Sequence, residues 1–127
     1  MTPKTINITY RILTALYVLA MLGDAFGGIT HQKEGVLNMQ HLQYPIYMMT
    51  IMGVAKLLGA LAILQTKFIA IKEWAFSGFT ISFIGALWSR IYMGDGIGLV
   101  LPPVIMLLIT VVYYFLWKKF LQLKAAN

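Results

Sequence analysis

Between His41 and Leu64 the chain reads HLQYPIYMMTIMGVAKLLGALAIL. The stretch is apolar and long enough to cross a bilayer, which takes about 20 residues at ~1.5 Å each. It also carries a lysine near its middle. Counted from Pro45, Lys56 falls roughly 16 Å along a helix, close to the midplane of a hydrocarbon layer about 30 Å thick. A cation there costs at least about 2.5–3.5 kcal/mol unless it faces protein, water or a counter-ion. A chain with such a segment has to supply a polar contact from inside a membrane bundle.

Three more stretches have the length and character of spans. The first runs over residues 10–29 and includes Gly23-Asp24-Ala25-Phe26-Gly27, an acid inside a G-x-x-x-G spacing that lets another helix come close. The second span covers 45–65, with Pro45 suited to a first helical position because its missing N–H is not needed there. The third covers 73–92. Gly78, Ser82 and Ala86 form a small-residue stripe along it, with Gly85 and Ser89 beside them, which predicts a helix-packing face together with Gly59 on the second span. The fourth begins at Pro102-Pro103 and covers 102–119. Residues 1–9 read as a short polar lead. Thr30 to Tyr44 is too polar to span and reads as a loop with a partly helical surface piece, and Gly94-Asp95-Gly96 reads as a turn.

Composition agrees with this class. Hydrophobic residues make up 60% of the chain and charged ones only 11%, against about a quarter in soluble domains. At 127 residues one domain is expected. The fold class predicted is all-α, a transmembrane four-helix bundle. Basic residues set its orientation: Lys4, Arg11, Lys67, Lys72, Lys118, Lys119 and Lys124 fall on one side of alternating spans, and Lys33 and Arg90 on the other. The positive-inside rule then places both termini in the cytoplasm. Tyr10, Trp74 and Trp117 would mark the inner interface, and Tyr44, Tyr47, Trp88 and Tyr92 the outer one.

The net charge of +6 fits topology and contact with anionic membrane lipid. A nucleic-acid partner is excluded, since there is no clustered basic face on a soluble fold. Without cysteine the chain offers no disulfide, thiol relay or thiolate ligand. His31 and His41 lack the converging partners or spacing of a metal site, so no metal is expected. The eight methionines read as packing. No nucleophile–base pair or phosphate loop appears, so the chain is not expected to be an enzyme on its own.

Three ionisable groups remain at membrane depth: Asp24, Lys56 and Arg90. Asp24 and Arg90 count to similar heights, which predicts an ion pair between them, and Lys56 can snorkel toward Asp24. With Ser89 they form a candidate polar network, and His41, Tyr47, Trp88 and Tyr92 would surround its mouth. Such a set can simply fix helix register. It can also hold a ligand or a proton, the usual reason for intramembrane charge.

Three blocks carry a family resemblance. They contain Leu42-x-Tyr44-Pro45 with Gly53-x-x-Lys56-Leu57-Leu58-Gly59, then Lys72-Glu73-Trp74-Ala75 with Gly85-Ala86 and Ser89, then Leu101-Pro102-Pro103 leading to Tyr113-Tyr114-Phe115-Leu116-Trp117-Lys118-Lys119. In this order they resemble the DoxX-like family of small membrane proteins. Relatives often carry a lysine near the outer end of the first span, where this chain has Gly28. The resemblance implies a multi-pass four-helix bundle in the cytoplasmic (inner) membrane of a bacterium. It also implies a role near quinone redox chemistry or oxidative-stress complexes, or as an assembly chaperone like the eukaryotic relatives that serve nicotinic receptors. Two readings follow. One is an accessory subunit of a membrane redox complex, holding a quinone or lipid-like ligand around Lys56. The other is a chaperone or scaffold docking on client transmembrane helices without a cofactor. Other membrane subunits or a second copy of the chain, as a homodimer, are the expected partners.

Overall fold

The computed structural model describes residues 2–126, and every ordered element in it is a helix: α1 (Pro3–Ile29), α2 (Lys33–His41), α3 (Tyr47–Leu64), α4 (Ile69–Tyr92) and α5 (Ile97–Ala126). Helix α1 starts seven residues before the span expected from residue 10, so the polar lead is helical. The reason is local: Pro3 opens the helix, and the Thr2 hydroxyl accepts the Thr5 N–H at 3.2 Å. Helix α5 likewise starts before the two prolines and runs past Lys119. Its first turn is held by the Gly96 carbonyl, which accepts the N–H groups of Leu99 and Val100 at 3.0 and 3.1 Å. Pro102 and Pro103 therefore lie inside a helix already begun.

Short connections are built by side chains as well as backbone. Gln65 bridges α3 to α4, donating to the carbonyls of Ala62 and Phe68 and accepting the Phe68 N–H at 2.7 Å. At the other end Gly94, at φ +71°, terminates α4 in the left-handed conformation that suits glycine. The Asp95 N–H then reaches back to the Arg90 carbonyl at 3.0 Å.

Each long helix packs on two others: α1 on α3 and α5, and α4 on α3 and α5. The core lies between them and is largely aromatic, with Tyr10 and Tyr17 of α1, Phe76, Phe79 and Phe83 of α4, and Tyr113 and Trp117 of α5, completed by Met21, Ala60 and Ile63. Phe76 stacks on Trp117, and Tyr17 meets Phe79 edge-on. Buried hydroxyls are paired between helices. Tyr113 donates to Thr14 Oγ1 at 2.7 Å, and Tyr17 shares a 2.8 Å hydrogen bond with Thr110. Among the described residues no buried side-chain polar atom lacks a partner, as an interior without water requires.

The outer surface is apolar. Leu16, Leu19, Leu58, Ile81, Leu108 and Phe115 all point away from the core, the arrangement expected of a protein whose solvent is lipid. Three helices, α1, α3 and α5, are long and apolar enough to cross a membrane. Helix α4 matches them in length at 24 residues but carries Lys72, Glu73 and Arg90 near its ends and several hydroxyls between.

Tyr10 and Trp117, expected to mark an interface, turn their rings inward and join the core. Helix α4 does not turn its small-residue stripe inward. Its buried residues are Lys72, Phe76, Phe79 and Phe83, spaced four, three and four along one face. A side-chain carbon added at Gly78 or Gly85 would meet nothing within 4 Å, and Ala86 is exposed. Phenylalanine wins the inner face because it fills the wide interior left by four helices, which a stripe of small residues would leave void.

Candidate functional site

Helices α1 and α3 cross with their backbones in close approach. A carbon added to Gly28 would stand 2.8 Å from the Met49 carbonyl, and one added to Gly53 would stand 2.8 Å from that of Ala25. Only glycine permits this approach at both positions. Asp24 lies four residues before Gly28 and Lys56 three after Gly53, so each sits about one turn from the crossing, on neighbouring faces. Their side chains meet there, with Lys56 Nζ 3.4 Å from Asp24 Oδ2. The contact is half open: the Lys56 side chain is 23% exposed and that of Asp24 58%.

Above this pair is a cavity of about 290 Å³, walled by α1 and α3 and covered by α2. Gln32 and Asn38 add polar groups to its wall, and Gly23, Gly27 and Gly35 keep it open. Gly27 has a further constraint, since the Gln32 side chain packs where a side-chain carbon would lie. Helix α2 is oriented to suit its charges, with Glu34 in its first turn and His41 in its last.

A second opening meets the first. Between α3 and α4 lies an apolar groove of about 660 Å³, bordered by Leu58, Gly59, Ala62, Trp74, Gly78 and Ser82. Gly59 is needed here because the Phe79 ring would be 2.8 Å from any added carbon. Met52 and Lys56 border both the polar cavity and the groove.

Arg90 does not reach Asp24. It binds Asp95, Nη1 to Oδ2 at 3.1 Å, and its Nη2 donates to Asn38 Oδ1 at 3.4 Å. The glycine turn carries Asp95 back over the end of α4, so the nearer acid takes the guanidinium. His41 Nε2 approaches the other Asp95 oxygen at 2.6 Å. The Asp95 side chain is only 5% exposed. The hydrogen bond from His41 holds its carboxyl below the usual value, Arg90 adds to this, and burial opposes it. Ser89 pairs with Tyr44 rather than joining the ion pairs. These contacts tie α2, the segment before α3, α4 and the α4–α5 turn into one outer cap.

Of the residues expected at the pocket mouth, His41 belongs to this cap, while Tyr47, Trp88 and Tyr92 are exposed on the outer surface and border neither opening. Sequence reasoning missed Asn38, which lines the cavity and binds Arg90, and passed over Asp95 as an anchor. The glycines flanking Asp95 were the available signal. Among the described residues no cluster of histidine and acidic groups could hold a metal ion.

No match was found among curated proteins or solved structures. The DoxX-like family model matches residues 12–113, a range that includes Asp24, Lys56 and the whole outer cap. With its apolar outer surface, the chain is a membrane protein and belongs to the DoxX-like family.

Proposed function

We propose that this protein binds an amphipathic ligand, a quinone or a lipid-like molecule, with its polar head beside Asp24 and Lys56 and its tail in the α3–α4 groove. The observation that carries this reading is that the polar cavity and the apolar groove share Lys56 and Met52 on their walls. Head and tail chemistry thus lie side by side at one lysine. The residues fit a quinone in kind. Lys56 retains N–H donors beyond its one contact with Asp24 and can donate to a ring carbonyl, and Asp24 can accept from a ring hydroxyl. A bound quinone would supply reversible two-electron, two-proton chemistry. The chain has no cysteine and no flavin motif, and no metal-holding cluster among the described residues, to exchange those electrons, so it would serve as an accessory subunit beside a redox partner.

In the same proposal α4 spans the membrane with α1, α3 and α5. Exposed Ile81, Ile84, Trp88 and Ile91 give it a lipid-compatible outer face, and both chain ends lie in the cytoplasm of a bacterium by the distribution of Lys and Arg. Organic extraction and native mass spectrometry of the purified protein test the ligand. A retained quinone or lipid, absent from Lys56→Met, supports the proposal, and wild type free of any such molecule refutes it.

A scaffold or chaperone role is the second reading. It is favoured by Gly78, Gly85 and Ala86 of α4 facing outward, where small residues let a client helix approach closely. Crosslinks from this face to another membrane protein, with no extractable ligand, would select it.

A further inference from the structure

At the opposite end of the molecule, the start of α1, the α3–α4 connection and the end of α5 come together around one buried cation. Lys72 is 4% exposed. Its Nζ donates to the Tyr10 hydroxyl at 2.7 Å and lies 5.4 Å from the centroids of both the Tyr10 and Trp117 rings. The two rings stabilise a cation but do not neutralise it. None of the ion pairs among the described residues involves Lys72, Lys4, Arg11 or Lys124. A buried charge without a counter-charge is costly, and two of Lys72's three N–H donors remain unspent.

Lys72 borders a cavity of about 240 Å³ that Arg11, Lys124 and Thr66 also line. Arg11 has one hydrogen bond among the described residues, Nε to Asn7 Oδ1 at 2.9 Å. A second hollow of about 420 Å³ continues outward past Lys4 and shares Arg11, Phe120 and Lys124 with the first. The two form one cleft with four cations and no acidic residue in its lining. Beside the charges stand the apolar side chains of Phe68, Phe120, Leu121 and Leu123, with Asn7, Tyr10 and Thr66 as the uncharged polar groups.

We propose that this cleft binds the phosphate headgroup of an anionic phospholipid, with Lys72, Arg11 and Lys124 as its charge partners. Cations alone would suit any phosphate, but apolar walls next to them suit one attached to acyl chains. The cleft also sits where the apolar outer surface of the helices ends, at headgroup level for a protein embedded in lipid. The site is separate from the Asp24–Lys56 cavity, and neither proposal depends on the other.

The test is native mass spectrometry of the detergent-purified protein given equal amounts of phosphatidylglycerol and phosphatidylcholine, with melting temperature followed in parallel. Phosphatidylglycerol should be retained in preference and should raise the melting temperature. The double variant Arg11→Gln, Lys124→Gln changes only side chains at the cleft rim and should lower that retention about tenfold, as loss of charge-assisted contacts predicts. Lys124→Gln alone, close to the end of α5, should show a smaller loss of the same sign and serves if the double variant does not fold. Equal retention of the two lipids overturns the proposal, as does undiminished phosphatidylglycerol retention in the variants. Stabilisation by inorganic phosphate that equals the lipid effect and displaces the lipid would assign the cleft to free phosphate and overturn it too.

Discussion

Lys56 and Asp24 meet through one contact of 3.4 Å, and the acid is largely open. A single long contact that opens onto the polar cavity is a weak tie between the two helices. Lys56→Met is therefore expected to melt close to the parent in detergent while losing any extracted ligand. A large drop in melting temperature that is repaired by adding Asp24→Leu would instead make the pair structural. Asp95 behaves differently, because it is enclosed and bound on both oxygens. Its carboxyl is held below the ordinary value of 3.8, so its contribution to stability is present above that value and is lost as pH falls through the lower folded value. At pH 7 wild type should melt above Asp95→Asn, and the gap should narrow progressively as pH is lowered below 3.8. A gap unchanged by pH would show that the carboxylate charge does not hold the outer cap.

At the scale of elements, the decisive contact is the α1–α3 crossing. Ala25 and Ile29 leave no room at Gly53, since a side-chain carbon there would lie 2.8 to 3.0 Å from backbone and side-chain atoms of α1. Gly53→Ala should cost about 1–3 kcal/mol through overpacking. Gly85→Ala on the open face of α4 should be neutral or slightly stabilising, because alanine favours helix by about 1 kcal/mol. Equal melting temperatures for the two variants would contradict the crossing. Gly78 offers a sharper probe of the groove. Nothing lies within 4 Å of an added carbon there, so Gly78→Leu should fold normally yet fill the groove and expel a bound tail. If ligand content is unchanged by Gly78→Leu, the tail lies elsewhere.

At the scale of the whole molecule, the first turn of α1, the α3–α4 connection and the last turns of α5 share one end, as the cleft around Lys72 requires. Helix α2 and the Asp95 turn share the other, joined through His41. A reporter active only in the cytoplasm should therefore function when fused at either chain end or inserted at 65–68, and fail within α2. Activity of the α2 insertion would reverse the proposed orientation. Ends of opposite character also assign different work to each. The α2 end holds a closed polar cap above a small cavity, and the other end presents open cations.

Membrane class, the number of long helices and the glycine turn at residues 94–96 were legible in the sequence because each depends on a local run of residues. Length and apolar content add up along a segment whatever it packs against, and a turn glycine is dictated by its own backbone. The direction each helix faces was not legible. A helix apolar on all sides has no hydrophobic stripe to show which face turns inward, so the small-residue stripe of α4 reads as its packing face while the phenylalanine row takes the core. Arg90 likewise had two acids at comparable height, and only the fold of the turn brought Asp95 nearer than Asp24. Lys72 reads in sequence as one of several topology-setting cations. Its burial against Tyr10 and Trp117 exists only because three distant segments converge on it, and pairwise packing of that kind is decided in the tertiary structure.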